Sequence, residues 1–289
     1  MEKSSATHIC WLIGHPVEHS LSPGMHKVLY EDMGVKGWEY RKKDLKDEIR
    51  VKKFVKNFIS EGETGFNVTV PYKEAIIKLI DETDKSALEI GAVNTVKNDG
   101  GTLKGYNTDW TGFRDDLKDS LGVDICGDAL VLGAGGAGRA IVYALAQEIT
   151  SGIVYIYDKD TERARLLAAD MESVGNIKTV DSLGQAELRL AEAELLVNAA
   201  PVGMKPGLPV INIKPAREEL KVYDVVYNRE TELIRDARQR SLQAVTGEGM
   251  LAGQGANAFY IWSDGRYGEV KPGTREKMKE YVTKEVNNQ

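Results

Sequence analysis

The sequence predicts an α/β protein, in which strands and helices alternate around largely parallel sheets. Three observations predict this fold class. Short apolar runs alternate along the chain with longer segments whose apolar residues recur at helical spacing. Glycine accounts for 29 of the 289 residues and clusters in short turns rather than in linkers. The length also suffices for about two domains, each with its own core.

Composition and charge exclude several classes of protein. Lys and Arg number 38 against 44 Asp and Glu, a formal net charge of −6, so the basic footprint of a nucleic-acid binder is absent. No apolar run approaches the roughly 18 residues of a membrane-spanning helix, and no secretory signal opens the chain. The two cysteines and four histidines lack a metal-type spacing. We therefore expect a cytoplasmic protein with no metal, no nucleic-acid partner and no membrane partner.

The first part of the chain contains alternating predicted strands and helices. Ser22 precedes Pro23, a pair typical of a helix start, so Ser22 is predicted to cap a helix. Ile49 and Phe58 belong to an apolar pattern that predicts a helix over 45–59. The other elements predicted here are strands at 9–13, 38–42, 64–70, 92–96 and 103–106, and helices at 73–80 and 86–90.

From residue 111 the alternation becomes regular, as in a parallel sheet covered by helices on both faces. We predict a domain over 111–248 and a split domain of 1–110 with 249–289, with a cleft between them. The strands are predicted at 129–132, 153–157, 177–180, 195–199, 222–227 and 242–246, and the helices at 111–121, 136–149, 161–172, 231–240, 252–262 and 274–286.

A glycine-rich turn joins the predicted strand 129–132 to the helix after it. Its pattern is G-x-G-x-x-G. This strand–turn–helix context is typical of a Rossmann-type dinucleotide site, where backbone approaches a pyrophosphate and the helix N-terminus faces it. A merely tight strand–helix turn is the alternative. The predicted cofactor contacts are Gly133, Ala134, Gly135, Gly136, Ala137 and Gly138.

An acidic residue that binds the adenosine ribose is expected after the second strand of such a fold. Asp158 occupies that place and would repel a 2′-phosphate. Lys159 beside it would attract a 2′-phosphate. The sequence therefore favours NAD as the cofactor but does not exclude NADP. Asp160 is interpreted as the cap of the next helix.

Polar residues concentrate near the ends of predicted strands in the first domain. Ser20 and Ser22 follow the first strand two residues apart, so both hydroxyls can face one anion. Asn67 and Thr69 share one strand face, which is expected to line a cleft. Lys73 follows at the predicted first turn of a helix, where the helix dipole disfavours a cation and a surface lysine is the simpler interpretation.

Asn94 and Asp109 belong to a further polar cluster, beside two later strands. Asp109 is placed either to cap the helix over 111–121 or to pair with Lys73. A desolvated pair of lysine and aspartate transfers protons readily, because each group tunes the proton affinity of the other. These residue types therefore indicate acid–base chemistry.

Several motifs together resemble those of the shikimate dehydrogenase family, over most of the chain from Gly14 to about Trp262. The resemblance is specific because four polar motifs occur in the family's order, whereas other dinucleotide folds share only the glycine turn. The matching motifs are HSLSP (19–23), GFNVTVPYK (65–73), GAVNT (91–95), GYNTDWTG (105–112), GAGGAGRA (133–140), NAAPVGM (198–204), DVVY (224–227) and MLAGQGANAFYIW (250–262).

The resemblance implies a reversible, NADP- or NAD-linked reduction of 3-dehydroshikimate to shikimate. It implies that Lys73 and Asp109 are the catalytic pair. The implied substrate ligands are Ser20 and Ser22 on the carboxylate, Tyr227 near it, and Asn67, Thr69, Asn94 and Gln254 on ring hydroxyls. The implied cofactor contacts outside the glycine turn are Asp158, Lys159, Asn198, Val202, Gly247 and Met250.

Two departures from the family's common pattern and one residue that agrees with it affect these expectations. The stretch Asp158-Lys159-Asp160 replaces Asn-Arg-Thr and is similar to that of NAD-using quinate/shikimate dehydrogenases. Ser22 is often threonine in quinate-preferring relatives, which favours shikimate here. Arg229 stands where the family has a proline, which predicts a looser loop.

We therefore favour an active shikimate dehydrogenase, with an NAD-dependent quinate/shikimate dehydrogenase as the alternative. A dinucleotide-binding sensor without catalysis is the alternative from another class. Such a sensor would lack Lys73 or Asp109, and both are present. The sequence is compatible with a monomer or a homodimer.

Overall fold

The computed structural model describes residues 8–122 and 126–288. They form two compact units. The first unit contains the chain up to Thr108 and the segment Leu251–Glu285. The second unit contains Asp109–Met250, and the chain from Val286 is grouped with it. The first unit is therefore assembled from two separate stretches of sequence, and each unit has its own six-stranded sheet.

The first unit contains a mixed sheet. Its strands are β1 (His8–Gly14), β2 (Trp38–Asp44), β3 (Gly65–Val68), β4 (Glu82–Thr83), β5 (Thr95–Asp99) and β6 (Thr102–Tyr106), in the order β2-β1-β3-β5-β6-β4. β1 pairs in parallel with β2 and β3, so these three strands end at the same edge of the sheet. β5 and β6 form an antiparallel hairpin, and β5 also lies antiparallel to β3. The sheet of this unit is therefore only partly parallel.

The second unit contains a parallel sheet. Its strands are β7 (Ala129–Leu132), β8 (Val154–Tyr157), β9 (Ile177–Thr179), β10 (Leu195–Asn198), β11 (Lys221–Asp224) and β12 (Ala244–Thr246), in the order β12-β11-β10-β7-β8-β9. This is the doubly wound order of a Rossmann-type fold, as predicted. The winding direction reverses between β7 and β10, and ligands of such sheets bind outside the carboxyl ends of the strands at that point.

The helices begin where local signals place them. The side chains of Asp47, Asp84, Asp160, Ser182 and Thr231 cap helices, each accepting a hydrogen bond from a backbone N–H of the first turn. The helices are α1 (Ser22–Asp32), α2 (Glu48–Glu61), α3 (Lys85–Ile90), α4 (Asp109–Leu121), α5 (Gly136–Glu148), α6 (Thr161–Asp170), α7 (Leu183–Arg189), α8 (Glu232–Gln239), α9 (Glu248–Trp262) and α10 (Pro272–Asn287), with a 3-10 helix at Ala75–Leu79.

The structure differs from the prediction over 45–59 and over 183–189. The helix predicted over 45–59 begins only at Glu48, because Leu45 N–H donates to Gly14 O and continues the pairing of β2 with β1. Ile49 is 79% exposed, since the buried face of α2 carries other apolar residues. The short helix α7 is absent from the prediction, because Gly184 lowers the helix propensity of a seven-residue segment.

Each unit has its own apolar core against the sheet. In the first unit Phe66 of β3 packs edge-to-face against Phe54 and Phe58 of α2, with ring centroids 5.5 and 4.9 Å apart. In the second unit the four residues of β7 are at most 1% exposed. Such packing fixes the central strands, and the loops at their carboxyl ends are therefore held on rigid supports.

Candidate active site

The glycine turn between β7 and α5 leaves no room for side chains at two positions. Gly133 has φ +102°, a conformation that favours glycine, and a Cβ there would lie 2.9 Å from Ala200 N. A Cβ on Gly138 would lie 2.0 Å from Gly133 O. α5 begins at Gly136, directly after the turn, so its unpaired N–H groups lie at the switch point of the sheet. Ala134 lies in the turn and Ala137 in the first turn of α5, and together these segments can hold a pyrophosphate on backbone amides.

Asp158 is tied to the glycine turn. Its Oδ2 accepts a hydrogen bond from Ala134 N–H at 2.7 Å, and its Oδ1 accepts one from Asp160 N–H at 2.9 Å. Asp160 caps α6 by accepting from Arg163 N–H, which confirms its predicted role. Lys159 between them is exposed. The Asp158 carboxylate therefore stabilises the glycine turn, and its contact with the adenosine ribose stays a prediction.

Arg163 is a candidate site residue that the sequence reasoning missed. Its guanidinium atoms lie 3.7–3.9 Å from the position that a Cβ would occupy on Gly135. It stands in the first turn of α6, where the helix dipole disfavours a cation. This position in the sequence could have revealed Arg163 as a site residue, because a nearby anion would explain a cation in the first turn of a helix. Arg163 and Lys159 place two cations at the end of β8, next to the glycine turn.

The loop after β10 lies against the glycine turn, since Ala199 and Ala200 supply the backbone atoms nearest to a Cβ on Gly133. Asn198 shapes this loop from within. Its fully buried side chain donates to Val202 O at 3.0 Å and accepts from Ala200 N–H at 3.1 Å. The Asn198 side chain therefore holds the backbone of this loop in place. The Val202 side chain, by contrast, is 44% exposed.

Gly247 and Met250 flank the start of α9. A Cβ on Gly247 would lie 2.3 Å from Val225 O, so the close approach of the two segments requires glycine. Met250 is buried, and its backbone hydrogen-bonds the Tyr223 hydroxyl. That hydroxyl donates to Asp116 Oδ2 at 2.5 Å. The segment predicted to contact the nicotinamide is therefore fixed by buried side chains of the second unit.

Tyr227 lies beyond the end of β11, because the strand stops at Asp224 rather than at 227. Burial, followed by the charge of Glu248, raises the pKa of Tyr227. Its hydroxyl therefore stays protonated at neutral pH and can donate a hydrogen bond to an anion.

Ser20 and Ser22 lie together at the N-terminus of α1. The Ser20 hydroxyl donates to Ser22 Oγ at 3.1 Å and accepts from Ser22 N–H at 3.3 Å. The prediction that Ser22 caps the helix is wrong, because the cap position is Leu21 and Ser22 is the first helical residue. Two adjacent hydroxyls beside a helix N-terminus are suited to a carboxylate.

Thr69 and Lys73 lie where β1 and β3 end. Thr69 N–H donates to Ile13 O at 2.9 Å, and a Cβ on Gly14 would lie 2.3 Å from Thr69 Cγ2. Lys73 precedes the 3-10 helix, so it is not in the first turn of a helix as predicted. Its carbonyl accepts from Val93 N–H at 2.8 Å. Its side chain is half-buried, unlike that of a surface lysine.

Asn67 belongs to a buried hydrogen-bond network. Its Oδ1 accepts from the Tyr40 hydroxyl at 2.8 Å, and its Nδ2 donates to Asn94 O at 3.0 Å and Thr95 Oγ1 at 2.9 Å. The residue is only 4% exposed. Both amide protons are therefore used inside the first unit, and Asn67 joins β2, β3 and β5 rather than lining an open face.

Asn94 extends this network to α9. Its Oδ1 accepts from Thr108 N–H at 2.7 Å, and its Nδ2 lies 3.4 Å from Gln254 Oε1. The fold thus brings together two predicted ligands that are 160 residues apart. Asp109 directly follows Thr108 and is the buried first residue of α4, 5% exposed.

The described residues contain neither a candidate metal site nor a membrane-spanning helix. In that part of the chain no group of three or more His, Cys, Asp and Glu side chains could hold a metal ion. No helix within 8–122 or 126–288 is both long and apolar enough to cross a membrane.

Comparison with known proteins identifies the family. Residues 12–96 match the family model described as the shikimate dehydrogenase substrate binding domain. A shikimate dehydrogenase (NADP(+)) from Methanopyrus kandleri is 40% identical over 266 residues, which cover 89% of this chain and 90% of that protein. The chain belongs to the shikimate dehydrogenase family. The family resemblance that the motifs predict is thereby confirmed.

Solved structures of the shikimate dehydrogenase family have the same fold. The enzyme from Thermus thermophilus, in complex with NADP(H) and shikimate, is 35% identical with a TM-score of 0.83, over 95% of this chain and 99% of that one. The enzyme from Listeria monocytogenes, in complex with shikimate and NAD, is 32% identical with a TM-score of 0.85, over 98% and 99%. The predicted combination of a Rossmann-type domain with a second α/β domain is confirmed.

Proposed function

We propose that the chain catalyses the reversible reduction of 3-dehydroshikimate to shikimate with a nicotinamide dinucleotide. The arrangement of the first unit supports this best. Ser20, Thr69 and Lys73 follow β1 and β3, which end at the same edge of the sheet, and Asn94 lies beside Gln254. A cyclic acid with several hydroxyls requires this mixture of donors and acceptors. The glycine turn of the second unit provides the matching dinucleotide site.

Each polar group is assigned a part in substrate binding. Ser20 and Ser22 bind the carboxylate, because two hydroxyls and a helix N-terminus favour an anion. Tyr227 donates a further hydrogen bond beside it. Thr69, Asn94 and Gln254 bind ring hydroxyls. Asn67 acts indirectly, since both of its amide protons are used to hold Asn94 O and Thr95 Oγ1.

Lys73 and Asp109 are assigned the proton chemistry. The bound dinucleotide supplies or accepts the hydride. During reduction the Lys73 ammonium stabilises negative charge on the carbonyl oxygen, and the pair delivers the proton that makes the hydroxyl. During oxidation of shikimate the pair accepts that proton as the hydride leaves the carbon. Each turnover therefore moves one hydride and one proton.

The test measures oxidation of shikimate and of quinate, each with NADP⁺ and with NAD⁺. We expect the absorbance of reduced nicotinamide to rise with shikimate, and much faster than with quinate. A faster rise with quinate and NAD⁺ would support the quinate/shikimate alternative instead. No rise in any of the four mixtures, from protein that binds dinucleotide, would support a sensor without catalysis.

NADP is proposed as the preferred dinucleotide. Arg163 lies beside Gly135, Lys159 is exposed nearby, and both oxygens of Asp158 accept backbone hydrogen bonds. Asp158 is held by these backbone hydrogen bonds and Asp160 caps α6, so Lys159 and Arg163 are the side chains proposed to bind a 2′-phosphate there. NAD remains usable because the glycine turn does not depend on that phosphate.

Arg163→Ala is expected to raise KM for NADP⁺ about tenfold or more, because a charge-assisted contact to phosphate is lost. KM for NAD⁺ should change by less than about threefold. Arg165→Ala is the matched control, since Arg165 is on the same helix and pairs with Glu162 and Asp181 in solvent. Equal changes for both dinucleotides in Arg163→Ala would argue against the assignment.

A further inference from the structure

The loop that follows β10 is anchored firmly at its base. Asp224, fully buried at the end of β11, accepts from Asn198 Nδ2 at 2.8 Å and from Thr231 Oγ1 at 2.6 Å. It also accepts from Val226 N–H at 3.0 Å. Asn198 in turn holds Val202 O. The base of the loop is therefore joined to β11 and to the start of α8 through one buried carboxylate.

The outer part of the loop carries apolar side chains that are exposed rather than buried. Val202, Met204 and Leu208 are 44%, 53% and 84% exposed. No helix or strand occurs between the end of β10 and the start of β11. An exposed, irregular segment of this kind has low local stability unless polar contacts hold it.

Arg229 and its neighbour supply those contacts. Arg229 Nη1 donates to Gly203 O at 3.0 Å, and Asn228 Nδ2 donates to Met204 O at 3.2 Å. Gly203 has φ +105°, and a Cβ there would lie 2.9 Å from Thr231 Cγ2. The turn at Gly203 is therefore packed against the segment that carries Arg229. The looser loop predicted at 227–229, where Arg229 replaces a proline, stays a prediction.

Glu232 holds the guanidinium of Arg229 in one orientation. The two side chains form a bidentate pair, at 2.8 and 3.0 Å, and are 22% and 14% exposed. The hydrogen bonds from Arg229 lower the pKa of Glu232 to about 2, so the pair stays charged at neutral pH. Glu232 is the first residue of α8, and a planar bidentate pair fixes geometry as well as charge. The position of Gly203 O is therefore set by a helix.

We propose that Arg229 and Glu232 are positioning residues for the dinucleotide, holding the 201–207 loop in place for the nicotinamide half. This inference rests on the proposed function. The base of the same loop touches the glycine turn, which places the loop at the switch point of the sheet. A loop that is ordered before the ligand arrives does not have to be ordered on binding, so affinity for the whole dinucleotide is higher. The adenosine half is assigned to the glycine turn and residues 158–163. These are separate from Arg229 and Glu232, which hold the 201–207 loop.

The test compares a whole dinucleotide with its adenosine half. Arg229→Ala is expected to weaken NADPH binding about tenfold in a calorimetric titration and to leave the affinity for 2′,5′-ADP unchanged. Arg229→Lys keeps the charge but loses the planar fork, so its loss should be intermediate. Arg235→Ala is the matched control, because Arg235 lies close to Arg229 in the sequence, on α8, and forms an exposed pair with Glu230 at 3.8 Å. It should bind both ligands like the unmodified protein.

Digestion by proteinase K without ligand provides a second readout. Arg229→Ala should be cut within 201–208 several times faster than the unmodified protein and Arg235→Ala. Unchanged digestion, unchanged NADPH affinity, or an equal loss of affinity for NADPH and 2′,5′-ADP would overturn the positioning role. Failure of the unmodified protein to bind any dinucleotide would instead overturn the proposed function. The digestion would still decide whether Arg229 and Glu232 hold the 201–207 loop in place.

Discussion

Replacing Lys73 with methionine is expected to lower kcat for shikimate oxidation about a thousandfold and to change KM for shikimate less than about threefold. The ammonium is assigned to the oxygen on which charge develops, and an interaction made chiefly in the transition state is lost from kcat rather than from KM. Methionine keeps the length of the stem and removes only the charge. Initial rates at saturating dinucleotide, over a range of shikimate concentrations, give both constants.

Lys78→Met is the matched control for this substitution. Lys78 is an exposed lysine in the neighbouring 3-10 helix, so its replacement should leave both constants unchanged. The backbone of Lys73 is held by its hydrogen bond from Val93 N–H, which does not depend on the side chain. The melting temperature of Lys73→Met should therefore stay within a few degrees. A kcat within tenfold of the unmodified protein would contradict the role given to Lys73.

The second unit was the more predictable one, for a physical reason. Strands buried on both faces of a parallel sheet are uninterrupted apolar runs, and glycine marks the turn where one of them ends. β7 has its predicted bounds, and α5 and α6 begin at the predicted residues. In the first unit the two-residue strand β4 and the 3-10 helix have no such signal, and the predictions there are less accurate.

The candidate site was predicted by residue type but not by orientation. Asn67 and Asn198 have the amide side chains expected of ligand-binding residues, yet both are buried and hydrogen-bonded inside their units. Their partners include Tyr40 and Asp224, which are 27 and 26 residues away in the sequence. Local spacing cannot show such pairings. Arg163 was missed for the same reason, because its position depends on how α6 packs beside Gly135.

His26 makes the stability of the first unit depend on pH. Its ring is fully buried and stacks on Tyr40, with centroids 4.1 Å apart. Neither ring nitrogen has a hydrogen-bond partner among the described residues. Burial lowers the pKa of His26 from 6.5 to about 3, because the charged ring would have to give up its hydration. The folded protein thus keeps the ring neutral at pH values where the unfolded chain protonates it.

The stabilisation that depends on neutral His26 is complete above pH 6.5 and is lost as the pH falls toward 3. Between pH 7.5 and 5.0 the free energy of unfolding should therefore fall by about 2 kcal/mol through this group alone, at roughly 1.4 kcal/mol per pH unit below 6.5. His26→Phe removes that contribution and keeps a ring against Tyr40. Urea titrations at the two pH values measure the difference, and the fall should be about 2 kcal/mol smaller in His26→Phe.

His19→Gln separates burial from the mere loss of a histidine. His19 is exposed in the same segment, so its replacement removes a ring from water rather than from the core. The fall in unfolding free energy between the two pH values should match that of the unmodified protein. His26→Phe is also expected to gain about 1 kcal/mol or more at pH 7.5, because a buried ring N–H without a partner costs stability. Equal pH dependence in His26→Phe and the unmodified protein would mean that the ring is hydrated in the folded state, and the buried position of His26 would then be wrong.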